Sequence, residues 1–262
     1  MVRWSAVVVA LVSLVVVSFV VVSFVVGPGS AQADPNALWD IVNDRCVPDQ
    51  EQHGDPAPCT EVDLAAGREQ GSAVLKDLVG PNQFLLIPTG RITGIESAQL
   101  LAPDAANYFA AAWRARSFVD ERAGWTLPRD WVSLAINSED ARTQDQLHIH
   151  VDCLRRDVYD ALTTHASAVG PAWAPFPTPL VGHRYSAIAL KGEDLEANPF
   201  QLLADGIPGA RSDMGAWTLV VVGTYGRDGQ PGFLVLADHV DLAAGDTAGG
   251  EALQDHAACP QK

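Results

Sequence analysis

Positive charge is scarce in this chain. Its 262 residues carry 17 Lys and Arg against 32 Asp and Glu, a formal net charge of −15. Backbone phosphates demand a basic face, so the charge argues against a nucleic-acid polymer as partner. A small phosphorylated ligand is not excluded, because it needs only a local cradle of donors. Cysteine is also sparse, at four residues, and no two of them stand in a CxxC pair. That argues against a structural zinc site of the finger or ribbon type. No clean internal repeat occurs. Charge of either sign is missing altogether between Arg3 and Asp34.

That uncharged stretch bears on location. Ser5 to Val26 is 22 residues of almost unbroken apolar sequence. At about 1.5 Å per residue it spans a hydrocarbon layer of roughly 30 Å. It is longer than the usual apolar region of an export signal, which favours an uncleaved anchor. The alternative is a cleaved signal, since Ala31-Gln32-Ala33 resembles a signal-peptidase site with Asp34 as the new first residue. Either reading puts the rest of the chain outside the cytoplasm. The bilayer is then a partner, and the oligomeric state is left open.

An even cysteine count in an exported chain suggests disulfides. Cys46, Cys59, Cys153 and Cys259 allow three pairings. Pairing Cys46 with Cys59 closes a short loop containing Pro48, Pro56 and Pro58. Cys153 and Cys259 then tie the chain end to a strand described below.

Composition and punctuation divide the chain into residues 1–33 (anchor or signal), 34–60 (a short helix and a disulfide-closed loop), 61–169 and 170–262. Ser72–Leu78 and Gln83–Thr89 are apolar runs joined at Gly80-Pro81-Asn82, which predicts a hairpin. Asp104–Gly124 has apolar residues recurring at three and four, which predicts a helix with Asp104 as N-cap and Gly124 as terminator. Trp131–Asn137 and Gln146–Leu154 read as two further strands, and Arg156–Val169 as a helix. In the second half, a strand near Tyr185–Leu190, a short helix over Pro199–Ala204, and a hairpin turning at Asp228-Gly229 follow. The β-β-α-β-β order, then a mixed order, predicts an α+β fold with an antiparallel sheet and packed helices.

The stretch QLHIHVDC, Gln146 to Cys153, places chemistry on a strand. Side chains alternate in direction along a strand, so Gln146, His148, His150 and Asp152 share one face. Leu147, Ile149, Val151 and Cys153 share the other, which packs on the core. Two of the seven histidines at adjacent same-face positions call for a reason. An ordinary polar sheet surface is one. A metal site of His148, His150 and Asp152 is another, but no partner motif supplies a fourth ligand. A histidine nucleophile for phosphorus is the third.

Two upstream polar residues bear on the third. Asn137 stands thirteen residues before His150 and Gln144 six before it. This resembles the histidine-triad superfamily, and the resemblance implies His150 as nucleophile with His148 beside it. A register shifted by two makes His148 the nucleophile and leaves both upstream residues misplaced. The third histidine of the triad is replaced by Asp152.

Further segments narrow the resemblance. Val74–Ser97, "SLAINS" with "RTQDQLHIHVDC", "GHRY" at Gly182–Tyr185, "NPFQLLA" at Asn198–Ala204 and the terminal "LQDHAAC" are similar to the CDP-diacylglycerol pyrophosphatase family. The resemblance implies a histidine-triad-like core with a C-terminal α+β extension. It also implies hydrolysis of CDP-diacylglycerol to CMP and phosphatidate through a nucleotidyl-histidine, with no cofactor and no catalytic metal. Asn137, Gln144, Arg142, Thr143 and Asp152 are then expected around the phosphates, with Arg91 as a second cation. Two other functions are open at this point. One is hydrolysis of a soluble nucleotide diphosphate ester. The other is binding of a nucleotide lipid without turnover.

Overall fold

The computed structural model describes Met1 and residues 34–262. The apolar stretch Ser5–Val26 and the Ala31–Ala33 site therefore lie outside the described residues. No helix among the described residues is long and apolar enough to cross a membrane.

The described chain opens with α1 (Ala37–Ile41), a π-helical turn (Val42–Cys46) and α2 (Val47–His53), which ends at Gly54 in the left-handed region. Strands β1 (Glu61–Asp63), β2 (Ser72–Lys76) and β3 (Phe84–Pro88) follow, then the long helix α3 (Tyr108–Ala123). Next come β4 (Val132–Ile136), β5 (Ile149–Cys153) and α4 (Arg156–His165). The second half supplies β6 (Ala174–Pro175), β7 (Ser186–Lys191), α5 (Pro199–Gly206), β8 (Trp217–Tyr225) and β9 (Pro231–His239).

All nine strands among the described residues join one antiparallel sheet in the order β1-β2-β3-β5-β4-β8-β9-β7-β6. The fold is α+β, as the element order predicts. The strand that carries the histidines, β5, lies inside the sheet between β3 and β4.

One face of the sheet is covered by α3 and α5. Ile149, Val151 and Cys153 of β5 pack there with Phe109, Trp113 and Val119 of α3 and Phe200 and Leu203 of α5. Burying an Ile or Val of this kind is worth about 1.5–3 kcal/mol. The edge of Trp113 meets the ring of Phe233 at 4.9 Å.

The other face is divided. Val42, Cys46 and Val47 pack on Ala73, Leu75, Leu85 and Ile87. Val158 and Leu162 of α4 pack with Ala135, Val220, Val222 and Leu236. Cross-strand partners share a face, and His150 pairs with Leu85 on one side and Ala135 on the other. The histidine face of β5 therefore runs along the boundary between two apolar clusters.

Some boundaries differ from the predicted ones. The long helix starts at Tyr108, not near Asp104, because Asn107 caps it. The Asn107 carboxamide oxygen accepts from the Ala110 amide, and its Nδ2 donates to the Leu195 carbonyl. The regular strand begins at Ile149, three residues later than predicted, because Gln146 spends its side chain on the backbone of a neighbouring loop. Its Nε2 donates to the carbonyls of Pro88 and Gly90. Both expected disulfides are formed, Cys46–Cys59 and Cys153–Cys259.

Candidate active site

Alternation along β5 sets His148, His150 and Asp152 on one face, all nearly enclosed at 8%, 6% and 1% exposure. The two imidazoles meet edge to face with centroids 5.0 Å apart. Burial is the main cause that pushes each down to about 4 from the ordinary 6.5. Both rings are therefore neutral near pH 7, and in a neutral imidazole only one nitrogen carries a hydrogen.

Neighbouring groups fix which one. His148 Nδ1 lies 2.8 Å from the Gln146 carbonyl oxygen. An oxygen accepts, so Nδ1 carries the hydrogen and donates, and the Nε2 lone pair is free. Nε2 of His148 has no hydrogen-bond partner among the described residues. At His150 two neighbours meet one nitrogen. Gln83 Nε2 lies 2.7 Å from His150 Nδ1 and 2.7 Å from an Asp77 carboxylate oxygen, and a Glu251 carboxylate oxygen lies 3.2 Å from the same Nδ1. The amide asks Nδ1 to accept and the carboxylate asks it to donate. His150 Nε2 is enclosed and without a partner. A buried polar atom left unpaired costs about 1–3 kcal/mol, and a ligand would relieve it.

The C-terminal segment closes the site. The Leu253 carbonyl accepts from the Arg155 amide, and the Asp255 amide donates to the Cys153 carbonyl. Gln254 Nε2 donates to the carbonyls of Ser133 and His150. The Cys153–Cys259 bond pins the far end. This path brings a Glu251 carboxylate oxygen to 3.2 Å from His150 Nδ1. It also brings His256 Nδ1 to 3.1 Å from Asp152. Accepting by Asp152 raises the affinity of His256 for its proton, while burial raises the Asp152 carboxyl.

The other residues singled out from sequence are placed as follows. Asn137 is buried, and its Oδ1 accepts from the Glu251 amide, so it reaches the histidines through that residue. Gln144 turns to the N-terminal helix, where Oε1 accepts from the Leu38 amide and Nε2 donates to the Asp34 carbonyl. Arg142 is held by Glu96 at 2.7 Å and Asp145 at 3.3 Å. Thr143 is exposed. Arg91 donates to Asn36 and stacks over Trp39. No hydrogen bond joins Gln144, Arg142, Thr143 or Arg91 to either histidine among the described residues.

Gln83 and Glu251 were not found from sequence, and His256 stood out there only as one of the scattered histidines that could add a ligand to His148, His150 and Asp152. Gln83 and His256 stand inside segments that carry the family resemblance, and Glu251 precedes one of them. Nothing local in the sequence ties them to β5, since Gln83 lies 67 residues from His150 and His256 lies 104 from Asp152.

A family model described as CDP-diacylglycerol pyrophosphatase matches residues 33–262. A CDP-diacylglycerol pyrophosphatase of Yersinia pestis is 45% identical over 222 residues, which cover 84% of this chain and 83% of that protein.

Proposed function

This chain belongs to the CDP-diacylglycerol pyrophosphatase family, and on that premise we propose that it hydrolyses CDP-diacylglycerol to CMP and phosphatidate through a nucleotide covalently held on His148. The observation that carries the choice of His148 is the hydrogen bond from its Nδ1 to the Gln146 carbonyl, which leaves Nε2 with the lone pair. The spacing of Asn137 and Gln144 pointed instead to His150. In the present reading Gln144 serves the N-terminal helix, bonding Leu38 and Asp34. In this reading Gln83 donates to His150 Nδ1, which leaves the hydrogen on Nε2 and makes His150 a donor to the phosphate.

In the first step, Nε2 of His148 bonds to the phosphorus that bears cytidine. The bond from that phosphorus to the bridging oxygen breaks, and phosphatidate leaves with the oxygen as an anion. The substituted imidazole is now a cation, with Nδ1 still donating to the Gln146 carbonyl, which stabilises the charge. His150 Nε2–H donates to a phosphoryl oxygen and relieves its own buried vacancy. In the second step, water bonds to the same phosphorus and the P–N bond breaks. His148 returns as neutral imidazole, CMP departs, and the proton of the attacking water passes to solvent. Splitting one hard displacement into two easier ones is the gain from covalent catalysis. His256, whose hold on its proton is strengthened by Asp152, would offset negative charge on the departing phosphate.

The substrate's acyl chains stay in a bilayer. We therefore place the apolar stretch Ser5–Val26 in that membrane as a tether, with the catalytic part on the extracytoplasmic side. Turnover in detergent tests the substrate. CDP-diacylglycerol is expected to be cleaved at least a hundredfold faster, in kcat/KM, than CDP-choline or an ADP-sugar. Equal rates would make the chain a hydrolase of soluble nucleotide esters, and binding without turnover would make it a carrier.

A further inference from the structure

A second cluster of titratable groups lies outside the histidine pair. His183 sits in a tight turn whose backbone pairs Leu180 with His183, Asp238 near the end of β9, and Asp246 in a loop closed by Asp241 and Asp246. One donor atom from each lies within 4.8 Å of the other two. Asp246 faces His183 Nδ1 through one oxygen and accepts from the Ala248 amide with the other. Asp238 accepts from the His239 amide through Oδ1. Its Oδ2 is enclosed and has no partner, on a residue only 6% exposed.

Two buried carboxylates that face each other repel unless positive charge stands between them. Either a proton or a metal ion fills the gap. The donor set distinguishes them. An imidazole nitrogen with two carboxylate oxygens, drawn from three separate chain segments, is a set that binds borderline divalent ions with bonds of about 2.0–2.2 Å. His183 is partly open to solvent, which leaves room for water as a further ligand.

We propose that His183, Asp238 and Asp246 bind one divalent transition-metal ion, Zn2+ or Mn2+, through one imidazole nitrogen and two carboxylates. The ion cross-links the 180–183 turn, the end of β9 and the 241–246 loop. That loop leads directly into the segment that places Glu251 at His150. The Thr247 and Ala248 carbonyls accept from Ser138, and the Glu251 amide donates to Asn137. Occupancy therefore stiffens the C-terminal wall of the active site without touching the reacting atoms.

The test uses the purified full chain in detergent, stripped with EDTA and titrated with Zn2+ and, separately, Mn2+ against a chromophoric chelator, with melting followed in parallel. The expected result is one ion per chain and a higher Tm when loaded. Asp238→Asn and Asp246→Asn should weaken binding at least tenfold and abolish the Tm rise. His183→Gln, at a more exposed position, should do the same and covers the case in which an aspartate variant fails to fold. His150→Gln should bind as the wild type does. The proposal is overturned if the stripped wild type takes up neither ion, which would leave a shared proton between the carboxylates. It is equally overturned if His183→Gln or Asp238→Asn binds normally, or if His150→Gln loses the ion.

Discussion

Acidification should leave this enzyme working where an ordinary histidine enzyme stops. Both imidazoles of the site are pushed down to about 4, chiefly because they are enclosed. At pH 5.5 a group titrating near 4 is still about 97% neutral, so roughly 94% of molecules keep both rings neutral. A histidine at its ordinary value would be only about 10% neutral at that pH, and two together roughly 1%. The parameter to follow is kcat/KM, which reports the free enzyme's groups. Initial rates at low CDP-diacylglycerol in mixed micelles, from pH 8 to pH 4.5, supply it. Near-ultraviolet circular dichroism at each pH confirms that the protein stays folded. The expected profile is flat within a factor of two from pH 7.5 to 5.5. A tenfold fall by pH 5.5 in folded protein would refute the claim that burial keeps the pair neutral.

The same burial has the opposite effect on stability. The folded-state value of each histidine is depressed, so between about pH 6.5 and 4 the unfolded chain binds protons that the folded chain refuses. Stability is full above 6.5 and erodes as pH falls, by about 2 kcal/mol per histidine at pH 5. His256, whose proton is held more tightly, and the buried carboxyls of Asp152 and Asp238, raised chiefly by burial, act the other way. Urea midpoints at pH 7.5 and 5.0 in the wild type and in His150→Gln isolate one histidine's share, and an equal pH response in the two proteins would count against it. Gln83→Ala removes the donor that bridges Asp77 and His150 Nδ1. It should cost about 1–3 kcal/mol of stability and lower kcat more than it raises KM; an enzyme with wild-type kcat would mean the His150 tautomer is set elsewhere. Cys259→Ser opens a crosslink between residues 106 apart in sequence. Chain entropy puts its contribution at roughly 4–5 kcal/mol, and freeing the Glu251 segment should depress kcat even below the melting transition. Full activity and an unshifted Tm in that variant would show that the backbone bonds alone hold the segment.

The fold was legible where sequence pattern is local. Glycine at the 80–82 turn, the Asp228-Gly229 turn and alternation along QLHIHVDC each fixed an element and a face. The predicted apolar face of β5 does pack beneath α3. What was not legible depends on chain closure over long distances. Asn107 displaced Asp104 as cap because its amide also reaches the 195–197 backbone, some ninety residues away. Gln144 had the spacing of a phosphate ligand, yet the N-terminal helix supplies it with better-placed partners. The choice between His148 and His150 turns on two hydrogen bonds, one to a carbonyl two residues back and one to Gln83. Neither bond leaves a trace in composition or period. Glu251 and His256 enter only because the second disulfide and the Leu253–Asp255 backbone draw the chain end along β5.

The central claim is that Nε2 of His148 forms the bond to phosphorus. Rapid acid-free quenching with CDP-diacylglycerol labelled in the cytidylyl phosphate, followed by proteolysis and mass spectrometry of the Gln146–Cys153 region, tests it directly. The account requires the cytidylyl mass on His148 in the wild type and in His150→Gln, and none in His148→Ala. A modified His150, with His148 unmodified, would contradict it.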